Sequence, residues 1–169
     1  MRDFLRAEIQ ALAQDTKIQT WTADVSNGKV LELTNIIGRF FASEQHRVVL
    51  AAAYDDSGSG PAVLIELARN LINSPAFPRV GVDVVLLDGG AGEGATYFGD
   101  HLPDVYGSVP PISLVVLNGI CDRDIQILKE PTLLAAAMVN APADVPDGCS
   151  ARRLEIVAQK TLDYLNGIR

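Results

Sequence analysis

The fold is decided by residues 47–61, which read RVVLAAAYDDSGSGP. Residues 47–54 form an apolar run that is typical of a strand buried on both faces of a parallel sheet. The small and polar residues 55–60 then predict a loop, and Pro61 is favoured in the first turn of a helix. Apolar residues recur at helical spacing over residues 61–73, which predicts a helix with one buried face. A buried strand that leads through a short loop into an amphipathic helix indicates an α/β protein.

The same alternation continues in both directions along the chain. Helices are predicted at residues 3–14, at residues 61–73 and after Ser150, which can cap a last helix that Gly167 closes. Strands are predicted at residues 18–23, 30–37, 47–54, 82–87, 112–117 and, at a sheet edge, 125–128. The turn residues 26–28 favour a hairpin between the first two strands. We therefore predict one domain over residues 1–169, a three-layer αβα sandwich with a mixed, mostly parallel central sheet.

Composition limits the classes of function that this chain can have. The 169 residues carry a net charge of −7 and give a pI of about 4.7. An acidic chain argues against a nucleic-acid partner and against an anionic membrane surface. No apolar run is long enough to span a bilayer, and residues 1–14 lack the apolar segment of a signal peptide. We therefore expect a soluble protein that is cytoplasmic by default, or extracytoplasmic if a leader was removed.

The two cysteines, Cys121 and Cys149, carry little functional information. Their spacing does not match a zinc-binding pattern, and two cysteines do not imply a disulfide framework. Buried cysteines commonly behave as small apolar residues. We therefore interpret them as two buried thiols.

Polar residues follow three of the predicted central strands. Asp55 and Asp56 follow the strand at 47–54, Asp88 follows the next strand, and Asn118 follows the third. Ligands of open α/β sheets bind beyond the carboxyl ends of the strands, so these residues are expected to cluster as a polar pocket with a candidate cation site. The pattern alone favours the alternative, in which aspartate and asparagine only terminate strands and cap helices.

A glycine-rich stretch, GGAGEG, occupies residues 89–94. It lacks the spacing of a dinucleotide-binding loop and the Lys-Ser or Lys-Thr of a P-loop. We therefore predict a flexible loop without a phosphate site. The two histidines, His46 and His101, are interpreted as surface residues, and no nucleophile constellation stands out.

Six stretches in order along the chain resemble metallopeptidase family 28, which contains zinc aminopeptidases and glutaminyl-peptide cyclases. They lie at residues 34–40, 47–52, 56–69, 84–89, 97–103 with 115–124, and 140–150. The resemblance implies a reduced zinc-aminopeptidase-like fold. It also implies zinc held by histidine and carboxylate groups, with a glutamate that takes a proton from a zinc-activated water.

The functional positions of that family are mostly replaced in this chain. Ala53 stands at the position of a histidine ligand, and Asn118 and Asn140 stand at those of an aspartate and a histidine ligand. Gly90 and Ala91 stand at the general-base carboxylate and the next metal carboxylate. These replacements remove both the zinc ligands and the base, so no catalytic residue is assigned.

Two aspartates of the family pattern remain. Asp56 matches a metal-binding aspartate and would be a weak, vestigial ligand, while Asp55 matches the aspartate that orients the lost histidine. One aspartate cannot hold zinc, so no cofactor is expected, although zinc is the cofactor of the family. The chain is shortened where Asp55 and Asp56 adjoin and again at residues 131–139. The candidate cleft residues are Asp55, Asp56, Asp88, Glu93, Asn118 and Asn140.

Three interpretations of function remain open. In the first, the chain is a catalytically inactive, metal-free relative that acts as a binding or structural domain. In the second, it is a metal-dependent hydrolase of aminopeptidase or glutaminyl cyclase type, with a rebuilt carboxylate site that favours magnesium or calcium. That site would draw on Asp55, Asp56, Asp88, Glu93 and Asp122. In the third, it is an engineered or reconstructed minimal version of the fold. The sequence identifies no partner, but an incomplete sheet edge would allow a homo-oligomer to form.

Overall fold

The computed structural model describes residues 1–25, 29–55, 58–73, 79–89, 92–121, 125–130 and 149–168. The elements of these ranges alternate as an α/β protein requires, and every predicted helix and strand has a counterpart. In chain order they are α1 (Arg2–Leu12), β1 (Asp15–Val25), β2 (Lys29–Phe40), β3 (Arg47–Ala53), α2 (Ser59–Asn73), β4 (Gly81–Leu87), α3 (Glu93–Asp100), α4 (Leu102–Tyr106), β5 (Ser113–Val116), β6 (Gln126–Leu128) and α5 (Ala151–Gly167).

The described strands form one six-stranded sheet in the order β1-β2-β4-β3-β5-β6. At its centre β3 pairs in parallel with β4 on one side and with β5 on the other. The pairs β1–β2, β2–β4 and β5–β6 are antiparallel. Every residue of β3, β4 and β5 is buried, as their apolar runs indicated. The predicted mixed sheet is therefore confirmed, with its parallel pairs at the centre and an edge strand near residues 125–128.

Helices cover both faces of the sheet, because successive side chains of a strand point to opposite faces. Leu50 and its neighbours on one face pack with apolar residues of α1, α2 and α5. Ala51 and its neighbours on the other face pack with Phe98 of α3 and Val105 of α4. This confirms the three-layer sandwich. None of the helices described is long and apolar enough to cross a membrane.

The boundaries of two helices can be compared with their predicted caps. Ser150 precedes α5, and its Oγ accepts a hydrogen bond from the Arg153 backbone N at 3.2 Å, as predicted. Ser59, which was predicted to lie in the loop at residues 55–60, is instead the first residue of α2. The hairpin between β1 and β2 is present, but its turn at residues 26–28 lies outside the described residues.

The prediction of a flexible loop at residues 89–94 was wrong in its second half. Glu93 and Gly94 are the first two residues of α3, while residues 90–91 lie outside the described part. Gly94 lies so close to the Asp88 carbonyl oxygen that a Cβ atom at residue 94 would collide with it. The glycine is therefore required because α3 begins directly against the end of β4, not because the chain is loose there.

The interpretation of Cys121 and Cys149 as two thiols was also wrong, since the two residues form a disulfide. Their Cα atoms are 4.7 Å apart, although 28 positions separate them in the sequence. Cys121 follows β5 at a short distance, and Cys149 precedes α5. Only the packing of α5 against the sheet brings the two together, so the sequence spacing held no signal.

Candidate functional site

The candidate site lies at the edge of the sheet where the three central parallel strands end. Asp55, Asp88 and Asn118 follow β3, β4 and β5, which are neighbours, so the structure does bring these three positions to one edge. Asp55 is exposed, Asp88 is buried and Asn118 is partly buried. Glu93 is an exposed residue at the start of α3. The other candidates, Asp56 and Asn140, lie outside the described residues, as does Asp122.

Asp88 is a buried carboxylate whose two oxygens both accept hydrogen bonds. Its side chain is only 8% exposed. Oδ2 accepts from the Thr34 backbone N and from Arg2 Nη2, both at 2.8 Å, and Oδ1 accepts from the Gly89 backbone N at 3.1 Å. A guanidinium at this distance compensates the negative charge of the carboxylate. The charge of Asp88 is thus balanced from within the chain.

Arg2, in the first turn of α1, connects Asp88 to a buried tyrosine. Its Nε donates to Tyr54 Oη at 3.3 Å, and the Tyr54 hydroxyl donates to the Thr34 carbonyl at 2.9 Å. Burial raises the pKa of Tyr54, and the nearby carboxylate of Asp88 raises it further. The tyrosine therefore stays neutral and acts as a hydrogen-bond donor, rather than as a base.

Asn118 uses its side chain to extend the pairing of β3 with β5. Its Oδ1 accepts from the Ala53 backbone N at 2.9 Å, and the Leu117 backbone N donates to the Ala51 carbonyl at 2.9 Å. The amide oxygen therefore replaces the next carbonyl of the ladder, at a point where the strands diverge. This is the strand-terminating role that the sequence pattern alone favoured for such residues.

Asn35 is a site residue that the sequence reasoning missed. It is completely buried in β2, where its Oδ1 accepts from the Asp88 backbone N at 3.0 Å. Its Nδ2 donates to the Gly94 carbonyl at 2.9 Å and to Gln19 Oε1 at 3.1 Å. It therefore fastens β2, β4 and the start of α3 to one another. An asparagine inside a predicted strand, directly before the apolar residues 36–37, was the available signal.

The described residues at this edge do not fit a zinc ion. Ala53 has no ligand atom, the oxygen of Asn118 is occupied by a backbone N–H, and Asp88 is already paired with a cation. The described residues also contain no group of three His, Cys, Asp or Glu side chains that could hold a metal. Zinc sites in proteins are built from several such groups. We therefore derive no zinc-dependent step for this chain.

Neither histidine joins the described site. His46 is exposed, as expected. His101 is partly buried between α3 and α4, where its ring stacks on Tyr97 with a centroid distance of 3.9 Å. Its Nδ1 lies 2.8 Å from the Tyr97 carbonyl oxygen. These contacts give His101 a packing role.

Solved structures with a similar fold include zinc exopeptidases and glutaminyl cyclases. A leucine aminopeptidase precursor from Bacteroides thetaiotaomicron superposes with a TM-score of 0.76 at 14% identity, over 99% of this chain and 88% of that one. Glutaminyl cyclase from Fimbriiglobus ruber gives 0.73 at 15% identity, over 99% and 86%. A Zn-dependent exopeptidase from Parabacteroides distasonis gives 0.62 at 14% identity, over 99% and 89%.

Comparisons of the sequence itself identify no related protein. No protein-family model matches the chain, and no curated protein sequence matches it. The solved structures share only 14% to 15% sequence identity with this chain, so they show a similarity of fold alone. The chain therefore has the aminopeptidase-like fold of zinc exopeptidases and glutaminyl cyclases, as the resemblance of its sequence implied.

Proposed function

We propose that this chain is a catalytically inactive, metal-free protein of the zinc-exopeptidase fold that acts as a binding or structural domain. The observation that carries the proposal is the ion pair between Arg2 and Asp88, at 2.8 Å. Catalytic zinc sites depend on carboxylates and histidines that face the metal. Here a guanidinium of the same chain faces the carboxylate at the end of β4.

The ion pair opposes metal binding for an electrostatic reason. Asp88 is shielded from water, so a cation that approaches it would be repelled by Arg2 in a region of low effective dielectric constant. Displacing Arg2 would also remove its hydrogen bonds to Tyr54 Oη and to the Glu32 carbonyl. Metal binding at this carboxylate would therefore require several contacts of α1 to break together.

The end of β3 supports the same proposal independently. Ala53, at the position that resembles a histidine ligand, is bonded through its backbone N to Asn118 Oδ1. That bond uses one of the two lone pairs of the Asn118 side-chain oxygen and directs this oxygen, the only acceptor atom of the side chain, towards β3. Two adjacent strand ends are thus held together by a group that would otherwise face the cleft.

A cavity beside this cluster supports a binding role. The cavity next to Tyr54 has a volume of about 320 Å³, and a separate cavity of about 440 Å³ lies between α2 and α5. Phe4 and Leu5 of α1 and Ile65 of α2 line the former, together with Tyr54 and the charged Arg69. A mostly apolar cavity with a few polar groups is the usual form of a small-ligand site.

Activity assays test the proposal directly. The chain, purified without chelator, is assayed with aminoacyl-p-nitroanilides and with a peptide that begins with glutamine, each with and without added zinc. A glutaminyl cyclase of the same fold serves as the positive control. We expect rates equal to the buffer blank, because the described residues hold no metal-binding group and Gly90 stands at the position that resembles the general base.

Hydrolysis or cyclisation that a chelator abolishes and zinc restores would overturn the proposal. Magnesium and calcium are tested in the same way, because a site made of carboxylates favours them. A cation-dependent reaction, with a cation-dependent rise in melting temperature, would support the metal-dependent hydrolase instead.

A further inference from the structure

A surface cavity of about 300 Å³ lies between β1 and α3, on the face of the sheet opposite to α1. We call it the Trp21 cavity, and its lining consists of Trp21 from β1 and of Glu93, Thr96, Tyr97 and Asp100 from α3. Neither Asp88 nor Asn118 lines it. A ligand could occupy it in an active or an inactive chain, so its role is independent of the proposed function.

Three aromatic rings are stacked beside this cavity. The ring of Trp21 lies parallel to that of Tyr97, with the centroids 4.2 Å apart and the planes at 9°. His101 stacks on the same tyrosine at 3.9 Å and 15°. Two rings that stack on a third must occupy its opposite faces, so Trp21 and His101 lie on either side of Tyr97. The tyrosine therefore has no free face, whereas Tyr97 covers only one face of Trp21.

Glu93 lies on the side of Tyr97 that Trp21 occupies. Residues four positions apart are neighbours on one side of a helix, so Glu93 precedes Tyr97 and His101 follows it along the surface of α3. Because His101 takes the C-terminal side of the tyrosine ring, Trp21 must take the N-terminal side, towards Glu93. The carboxylate of Glu93 thus lies next to the face of Trp21 that Tyr97 leaves uncovered.

The cross-strand neighbour of Trp21 supports this placement. Leu33 of β2 lies directly opposite Trp21 in the hairpin. A Cβ atom at Gly89 would lie 3.0 Å from the Cβ of Glu93 and 3.1 Å from Cδ1 of Leu33. Glu93 and Leu33 are therefore close to one another, and the start of α3 borders the strand pair that carries Trp21.

The charged groups that line the cavity are both negative. Glu93 and Asp100 are exposed, and neither forms an ion pair with a described residue. They are seven positions apart in α3, which separates them by about 10 Å along the helix axis. No third ligand joins them in a metal-binding group among the described residues. The side chain of Lys17, also on β1, donates instead to the Val105 carbonyl at 3.2 Å.

We propose that the Trp21 cavity binds an organic cation, an alkylammonium or quaternary ammonium group, that contacts the ring of Trp21 and pairs with the carboxylate of Glu93. The face of an aromatic ring is the negative part of its quadrupole, and tryptophan attracts cations most strongly. The carbon atoms of such a ligand also bury apolar surface against the ring, which an inorganic ion does not. Asp100 adds a second negative charge to the same wall.

The fluorescence of Trp21, the only tryptophan of the chain, reports on this cavity directly. The full chain is titrated with tetramethylammonium chloride and with butylammonium chloride, each against sodium chloride at equal ionic strength. The uncharged tert-butanol and 1-butanol are the matched neutral probes. We expect a saturable, one-site change with the ammonium ions and none with sodium or the alcohols. Binding of tetramethylammonium alone would assign the cavity to quaternary ammonium compounds, and binding of butylammonium alone to primary amines.

Two variants locate the binding at this cavity. Glu93→Gln removes the negative charge at nearly constant size, and Trp21→Leu removes the aromatic ring, so calorimetry replaces fluorescence for it. We expect each to weaken binding of the ammonium ion about two- to fivefold, as the loss of one exposed cation–π contact or ion pair does. Glu155→Gln is the matched control, because Glu155 is an exposed carboxylate on α5, which covers the other face of the sheet. It should leave the affinity unchanged.

A stability measurement separates ligand binding from packing. Trp21 packs β1 against α3, so Trp21→Leu should lower the melting temperature with or without a ligand. Glu93 is exposed, so Glu93→Gln should fold with little change in stability, and its weaker binding cannot then be attributed to unfolding. Equal responses to sodium and ammonium ions, no saturable change, or unchanged affinity in Glu93→Gln would overturn the proposal and leave the ring stack as a packing contact.

Discussion

At the scale of single residues, Asn118 stands at a ligand position of the family pattern but bonds to the backbone of β3. Asn118→Ala would leave the Ala53 N–H without its acceptor, and we expect a loss of about 1–3 kcal/mol in the free energy of unfolding. Asn118→Asp keeps an acceptor oxygen and should lose less. Urea denaturation measures both, with the exposed Asn73→Ala as control.

An Asn118→Ala variant as stable as the control would contradict this role. The outcome also bears on the proposed function. If Asn118→Asp bound zinc without further changes, the conclusion that the described strand ends do not fit a zinc ion would be wrong.

The two tyrosines with raised pKa values predict a loss of stability at alkaline pH. Below about pH 10, the ordinary pKa of tyrosine, Tyr54 and Tyr106 are protonated in both the folded and the unfolded state. Above that pH the unfolded chain releases these protons while the folded chain retains them. The unfolded state then binds fewer protons, so the free energy of unfolding falls as pH rises.

Chemical denaturation from pH 9 to pH 11 measures this slope. Tyr54→Phe and Tyr106→Phe should each reduce it, whereas the exposed Asn73→Ala, which removes no titratable group, should not. The idea fails if the folded chain releases all four of its tyrosine protons near pH 10 in a spectrophotometric titration.

Which residues would meet at the strand ends was predictable only in part. Asp88 and Asn118 were identified because they follow buried strands, and parallel strands end at one edge. Their actual partners were not identified. Arg2 lies 86 positions from Asp88, and only the packing of α1 against the sheet brings the two side chains together.

At the scale of elements, the buried pair of Arg47 with Asp83 joins the two central strands β3 and β4. Asp83→Ala would leave Arg47 unpaired, with its side chain only 5% exposed. We expect this variant to lose about 3–5 kcal/mol in the free energy of unfolding. Replacing both members by apolar residues, as in Arg47→Met with Asp83→Leu, should recover much of that loss.

The exposed pair of Glu8 with Arg69 provides the comparison for this prediction. Its members are 30% and 47% exposed, so Glu8→Ala should cost less than about 1 kcal/mol. Equal costs for Asp83→Ala and Glu8→Ala in urea denaturation would show that burial does not set the strength of the central pair.

Strands and long helices were easier to predict from the sequence than the short helices. The apolar runs of β3 and β4 and the periodic pattern of α2 give direct signals, because burial selects their residues. The helices α3 and α4 were missed, since Gly92 and Gly94 are typical of loops. Gly94 is needed for close contact with Asp88, and contact of that kind leaves no local pattern.

At the scale of the whole molecule, the disulfide of Cys121 with Cys149 ties α5 to the end of the sheet. It closes a loop whose ends are 28 positions apart, and such a crosslink restricts the unfolded chain. Removing it should lower the free energy of unfolding by about 2–4 kcal/mol. Urea denaturation with and without a reductant measures the effect.

The double variant Cys121→Ser with Cys149→Ser is the matched control, because a reductant should not change its stability. The prediction would be wrong if the oxidised and reduced forms of the unmodified chain were equally stable. Mass spectrometry of alkylated protein reports independently whether free thiols are present.

The architecture followed from the sequence more fully than the function did. Alternating buried strands and amphipathic helices suffice to indicate a three-layer sandwich, because each sheet face must be covered. Whether the chain forms a homo-oligomer stays a prediction. The long strand β1 and the three-residue strand β6 form the two edges of the described sheet.

The most direct test of the account is a calorimetric titration of zinc into chelator-free protein, combined with elemental analysis of the protein as purified. Arg2 pairs with Asp88, and the side chain of Asn118 accepts a hydrogen bond from the Ala53 backbone N. We therefore predict substoichiometric zinc and no binding heat. Near-stoichiometric, tightly bound zinc would contradict the account and would support the alternative function, a metal-dependent hydrolase.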